Sequence, residues 1–565
     1  MSRRKLLAAS VQVTSAAAAA TALGVTGAAA ADTGPGSDAG TGAQGRPAGL
    51  WAEFTANPYA HPQIPYVGRA GFRGGERHFP RHPVRANVLH YGALADGSAD
   101  AAPAINRALR EVGEAGGGTV YLPPGTYRID DVIQVGWDNT TLRGAGSGRT
   151  TLYATKSLTE VIGVYGSRYG GDKSSWSWAG GLVWMCPKDR YRTLTDAIRA
   201  RAWPFEGWTG NKRDEWETLA KVTAEAVQGS WTVTVDSAAR LRRGDRVLLQ
   251  YTDDPGHGLL DHMSGDVEGA ATYNWSDKTK VLSYVPYEWP ARVTEIRGHR
   301  VTFDRPLPLD TRLLWQPRIT TLVTPLVNSG VEGLTLQMTP TPQSLHLLDK
   351  GYNGLVAQCT WDCWVDDVHA VDVDNGFLMV AAKATTFRRT RVSGRGSHHP
   401  YACREGAHDN LFEDFAIDQR TVLPAPPGTQ LHGINVEGLS SYNAWSRGRM
   451  DMGTFDTHRG LPFANIRTDI TISNDGQHGG DASAGPLYGA RFTHWNVTVT
   501  NGRAGCAKID DIAPYSATVG LSTVTPFGQT DVPDFTGPLH SRLESYGDTD
   551  VSPANLYEAQ RELRR

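Results

Sequence analysis

The chain has 565 residues, 40% of them apolar, with 63 glycines, 16 tryptophans and a formal charge of −3. That length allows a sizeable core, and an elongated solenoid reaches it as one body. The slightly acidic balance, with no basic face, argues against nucleic acid as a partner, and no apolar run beyond the N-terminus approaches the roughly 20 residues of a membrane span.

Residues 1–31 read as a signal peptide: Met1-Ser2-Arg3-Arg4-Lys5-Leu6-Leu7 is a charged start, an Ala-rich run follows, and Ala29-Ala30-Ala31 is a cleavage signal. Arg3-Arg4 before Leu6-Leu7 is similar to a twin-arginine export signal, the alternative being an ordinary secretory leader. The protein is therefore expected outside the cell, with 53 basic against 59 acidic residues once Arg3, Arg4 and Lys5 are gone. Residues 32–86 form a Gly/Ser/Pro-rich linker and then an extended arm without periodicity. The five cysteines are too scattered for a disulfide scaffold or a structural zinc site, and Cys359 and Cys363 either pair or are separate buried apolar groups.

The solenoid is expected to start within residues 87–185. A strand at Val88-Leu89 leads to the turn Asp96-Gly97, and a helix follows from about Asp100 with Ala104, Ile105, Ala108, Leu109 and Val112 at helical spacing. Gly116-Gly117-Gly118 ends it, and Thr119-Val120-Tyr121-Leu122 is a strand stopped by Pro123-Pro124-Gly125. This stretch of some forty residues resembles the N-terminal signature of the pectate-lyase-like superfamily. The resemblance implies an all-β right-handed parallel β-helix solenoid with an N-terminal capping helix. It implies less about the reaction, because lyases, hydrolases, transferases, epimerases and tailspikes share the architecture.

Residues 186–305 break the coil rhythm. Thr232–Val235, Leu241–Leu249, Ala291–Ile296 and Val301–Phe303 alternate around Gly-Asp and Arg-Gly turns, which predicts a small antiparallel β subdomain inserted in the solenoid. Residues 306–513 return to coils with starts twenty to forty residues apart, at Val331, Val365, Thr386, Asn410, His432, Asp469 and Phe492. Residues 514–565 read as loops and a short helix at Ala554–Gln560.

Seven of the 17 histidines fall between His398 and His494, which marks a groove face. Within it, Met450 to Gly460 has no strand or helix period and mixes Asp451, Asp456, His458 and Arg459 among glycines. Those groups supply a proton carrier and a guanidinium able to hold a carboxylate; the plainer reading is that Asp456 and Arg459 brace a bend. His432, Asp451, Asp456, His458 and Arg459 are the catalytic candidates. Lys383, Arg388, His398, Asn435, Trp445, His478 and Asp481 are the substrate-binding candidates, with Asn435 alternatively a stacked interior residue. The metal site is left unassigned, and calcium is the candidate ion.

The Asp-Asp of polygalacturonase-type hydrolases has a counterpart in Asp366-Asp367, but their Asn-Thr-Asp and Arg-Ile-Lys motifs are absent. Two chemistries on a polysaccharide remain. In β-elimination, His432, His458 or a lysine removes the proton α to a uronate carboxylate that Arg459 or Asn435 neutralises. In hydrolysis, two of Asp451, Asp456 and Asp475 act as acid and base. The His/Arg-rich face favours a polysaccharide lyase over a glycoside hydrolase, and a non-catalytic glycan-binding protein is the third class.

Overall fold

The computed structural model describes residues 45–165, 174–202, 205–210, 212, 214–267, 275, 285–418, 425–458, 460–476, 486–500, 513–522, 538–547 and 549–564. The expected signal peptide and most of the linker lie outside them. The chain winds between two long parallel sheets. One has sixteen strands, from Val84–Asn87 to Arg542–Tyr546. The other has seven, and its spatial order is its chain order: Ile133–Val135, Val183–Met185, Leu355–Gln358, Asn375–Val380, His399–Arg404, Gly433–Val436 and Thr454–Phe455. That succession is a parallel β-helix, whose crossovers take the right-handed sense.

Stacked side chains fill the interior. Val331, Val365, Phe387, Phe412 and Trp445 stand in register on five successive strands, all buried. Burial of each such side chain stabilises by about 1.5–3 kcal/mol. At one corner Asn410 Nδ2 donates to Asn443 Oδ1 at 2.9 Å and Asn443 Nδ2 to Asn465 Oδ1 at 3.0 Å. The interior asparagine stack is therefore there and not at Asn435.

The helix spans Ala102–Glu114 and packs Ile105, Ala108, Leu109 and Val112 into the same core as Val120, Leu142 and Leu152. The strand expected at Val88-Leu89 is instead a 3-10 turn, Val88–Tyr91, after a strand that ends at Asn87. Asn87 Oδ1 accepts from Leu89 N at 3.1 Å, a local bond that competes with the sheet ladder.

The inserted subdomain is a six-strand antiparallel sheet that begins at Thr218–Lys221, after a helix at Lys188–Arg199. It extends past residue 305, because Arg318–Thr320 pairs with both Thr218–Lys221 and Arg246–Tyr251. Its apolar face merges with the solenoid: Tyr287, Trp289 and Leu309 share a core with Leu411, Tyr442 and Phe463. Cys186, Cys359, Cys363 and Cys403 are buried and free.

The N-terminal arm contains a helix, Gly49–Ala56, and is held by the C-terminus. Arg46–Pro47 pairs with Val551–Ser552. From the last helix, Leu556–Glu562, Gln560 Oε1 accepts from Val67 N at 2.7 Å and Tyr557 Oη donates to Ala70 O at 3.0 Å.

Candidate active site

Alternation on three adjacent strands of the seven-strand sheet builds the site. Tyr401, Ile434 and Phe455 stand in register and point into the core, so their neighbours Ala402, Asn435 and Asp456 face outward. His399 opens the first of these strands with His398 just before it, His432 immediately precedes the second, and His458 follows the third. The chain bends sharply at Gly433, where φ is 143° and a Cβ would lie 2.1 Å from Thr454 O. Only glycine permits that approach, which brings His432 against the next coil.

Four imidazoles gather under one indole. Ring centroids are 4.3 Å apart for His398 and His399, 4.9 Å for His399 and His432, and 5.2 Å for His432 and His458. Trp178 lies 4.5 Å from both His399 and His458. Asp456 Oδ2 stands between two rings, 3.4 Å from His432 Nδ1 and 3.2 Å from His458 Nδ1. His398 Nδ1 is 3.2 Å from Asp349 Oδ2, which also accepts from Ser177 Oγ. Asn435 Oδ1 accepts from His458 N at 3.1 Å. His398 Nε2, Asn435 Nδ2 and Trp178 Nε1 have no hydrogen-bond partner among the described residues. All of these side chains are buried.

Two arginines frame the cluster. Arg404 donates to Glu437 at 2.6 Å, to Trp178 O at 2.6 Å and to Glu206 at 3.3 Å. Burial opposes its charge, but Glu437, Glu206 and Glu405 outweigh it and hold the guanidinium well above its ordinary value. Arg467, inside the solenoid, donates to Asp456 O at 2.9 Å and faces His494 Nε2 at 3.1 Å. Burial, then the neighbouring imidazoles, push His399 well below the ordinary histidine value, so its ring is neutral.

Of the sequence candidates, the structure brings together His432, Asp456, His458, His398 and Asn435. Arg459, His478 and Asp481 lie outside the described residues. Asp451 stands apart: it follows the strand Ala444–Met450 of the other sheet, half-exposed and paired with Arg449. Lys383 is fully buried against Asp409 and lies 4.8 Å from the Trp289 ring centroid, so it is a brace out of reach of substrate. Trp445 points inward and stacks on Phe412 at 5.4 Å. Arg388 lines a different feature, an open cleft of about 740 Å3 on the sixteen-strand sheet, with Arg77, Arg81, Arg143 and Arg389. There Asp366 binds Arg388 and Arg389, and Glu332 binds Arg143.

Sequence reasoning missed Asp349 and Arg467, and left Trp178, one of many tryptophans, and His399 off the candidate set although the His398-His399 doublet advertised the latter. Calcium prefers six to eight oxygen ligands, whereas this cluster offers three imidazoles and one carboxylate, a poor fit to that ion.

Residues 85–186 match the family model described as "Rhamnogalacturonase A/epimerase, pectate lyase-like". That segment is pectate-lyase-like, and it opens a parallel β-helix. The mannuronan C5-epimerase AlgE6 of Azotobacter vinelandii is 40% identical over 96 residues, 16% of this chain and 11% of that protein. Alginate lyase 7 of the same organism is 40% identical over 82 residues, 14% of this chain and 10% of that protein. The chain thus spans about a tenth of the length of these curated relatives. Among solved structures, tailspike protein gp49 of Pseudomonas phage LKA1 aligns over 78% of this chain and 72% of its own, at 14% identity and a TM-score of 0.42.

Proposed function

We propose that this pectate-lyase-like chain is a secreted enzyme that acts on a uronate-containing polysaccharide by removing the proton α to a uronate carboxylate, as a polysaccharide lyase. The observation that carries this reading is the convergence of His398, His432, Asp456, His458 and Asn435 on one face of the solenoid. An abstraction of this kind needs a base and a donor that stabilises the charge growing on the carboxylate.

His398 is the base: Asp349 orients Nδ1, and Nε2 has no other partner among the described residues. Asn435 Nδ2, also without a partner there, is the donor to the carboxylate. In elimination His398 Nε2 takes the proton, the carbon–oxygen bond β to the carboxylate breaks, a carbon–carbon double bond forms, and the departing sugar oxygen gains a proton. His398, protonated by that abstraction, or water gives it, while His432 and His458, which share Asp456, stand beside the reacting groups. Epimerisation has the same first step and then returns the proton to the opposite face of the sugar ring; that an epimerase and a lyase both match the N-terminal segment supports treating the two as neighbouring outcomes. The cluster is enclosed by Trp178 in this conformation, and substrate entry requires that indole to move.

Incubation with a panel of uronate-bearing and neutral polysaccharides tests the reading. Growth of the ultraviolet absorbance of an unsaturated uronate, lost in His398→Ala, is the expected result. Solvent deuterium entering the sugar without that absorbance identifies the epimerase outcome. Reducing ends without either signal shift the assignment to hydrolysis, and glycan binding without turnover to a non-catalytic protein.

A further inference from the structure

We propose that His399, His432, Asp456 and His458 form a binding site for one divalent transition-metal ion of the zinc type. One ligand atom from each lies within 4.8 Å of all the others, and all four side chains are buried. Four donors at about 2.0–2.1 Å around a tetrahedral ion are separated by roughly 3.4 Å. Asp456 Oδ2 already lies at that spacing from His432 Nδ1 and His458 Nδ1, 3.4 and 3.2 Å away. The widest pair has at most about 1.4 Å to close.

The surroundings of His399 are those of a ligand. Its Nδ1 faces two acceptors, Ser177 O at 3.2 Å and Asn375 Oδ1 at 3.3 Å. The Asn375 oxygen is identified by its amide nitrogen, which donates to Trp176 O and Asn353 Oδ1. The proton therefore sits on Nδ1, and the Nε2 lone pair turns into the cluster with no partner among the described residues. Metal-bound histidines are held in this way by a backbone carbonyl or an amide on the far nitrogen. Imidazole-rich donors select zinc, cobalt or nickel over calcium.

The ligands come from three successive coils, so the ion pins those coils to one another. Three neutral imidazoles and one carboxylate leave a net positive charge around a divalent ion, beside Asn435. That charge would face a substrate carboxylate bound there, a use that rests on the proposed reaction, whereas the binding does not.

The test is cobalt and zinc titration of the chelator-treated full chain, without substrate. Expected are one equivalent of cobalt with the visible bands of a tetrahedral ion, displacement by zinc, and a melting temperature raised by zinc and not by calcium. His399→Gln and His458→Gln, shown to be folded by circular dichroism, should each weaken cobalt binding by at least about tenfold. Absence of saturable uptake by the wild-type chain overturns the proposal, and so does unchanged uptake in both variants. Should the variants not fold, the wild-type titration still decides. Metal binding without uronate turnover would sink the reaction and leave the site standing, and turnover with no metal bound would do the reverse.

Discussion

Two buried polar clusters lie in neighbouring parts of this solenoid, and they differ in what faces the central carboxylate: a lysine in one, imidazoles in the other. In the first, Lys383 is fully enclosed, bound to Asp409, and lies near the rings of Trp289 and Trp361. Arg305 of the insert approaches the same carboxylate at 3.8 Å, and His408 Nδ1 meets Ser441 Oγ at 2.9 Å. That cluster joins insert to solenoid. In the second, the imidazoles around Asp456 crowd together while His398 Nε2, His399 Nε2 and Asn435 Nδ2 meet no partner among the described residues. A buried polar atom without a partner costs about 1–3 kcal/mol. The presence of histidine and a carboxylate does not separate the brace from the site, nor does hydrogen-bond satisfaction, since His408 Nε2 and Arg305 Nε in the brace also meet no partner among the described residues; the enclosed Lys383–Asp409 pair against a carboxylate ringed by imidazoles does.

Substitutions can break this contrast. The largest effect expected is on turnover: His398→Ala should lower it about 100- to 10,000-fold, with a melting curve close to the wild type's. Lys383→Ala should do the opposite, because breaking a buried pair destabilises by about 3–5 kcal/mol, read as a lower denaturation midpoint. Equal stability losses in the two variants would erase the distinction.

A smaller effect sharpens the comparison through pH. Burial, then the nearby Lys383 charge, pushes His408 down to about 3. The unfolded chain protonates near the ordinary histidine value of about 6.5, so it binds a proton that the folded chain refuses. The His408 contribution to stability is therefore complete above about pH 6.5 and falls by up to about 1.4 kcal/mol per unit as pH drops toward 3. Denaturant midpoints in His408→Gln should depend less on pH than those of the wild type over that window. Smallest of all, Asp451→Ala, at a half-exposed ion pair with Arg449, should cost less than about 1 kcal/mol and leave turnover unchanged.

The sixteen-strand sheet was legible because many of its strands bury one face. Arg389 to Val392 alternates exposed Arg389 and Arg391 with buried Thr390 and Val392, a period of two that sequence reading detects. The seven-strand sheet was legible only in part, at Ile133–Val135 and Gly433–Val436, for Leu355–Gln358, Asn375–Val380 and His399–Arg404 are buried on both faces and show no alternation. The site lies on that less legible sheet. His432, Asp456 and His458 stood out through the density of histidines and acids, but Asp349 and Trp178 come from other coils, 49 and 220 residues before His398. Asp451 misled because one half-coil places it on the opposite sheet, and Trp445 because a tryptophan in a polar stretch looks like a sugar platform when its parity points it inward.

The closure between the two ends of the chain bears on when this molecule can finish folding. Gln560 and Tyr557 hold Val67 and Ala70 across 493 and 487 residues of sequence. Coils can stack in the order they are synthesised, but the arm has no seat until the helix Leu556–Glu562 exists, so its docking must follow synthesis of that helix. A protein shortened by its final ten residues should retain its coils and leave residues 45–75 open to protease.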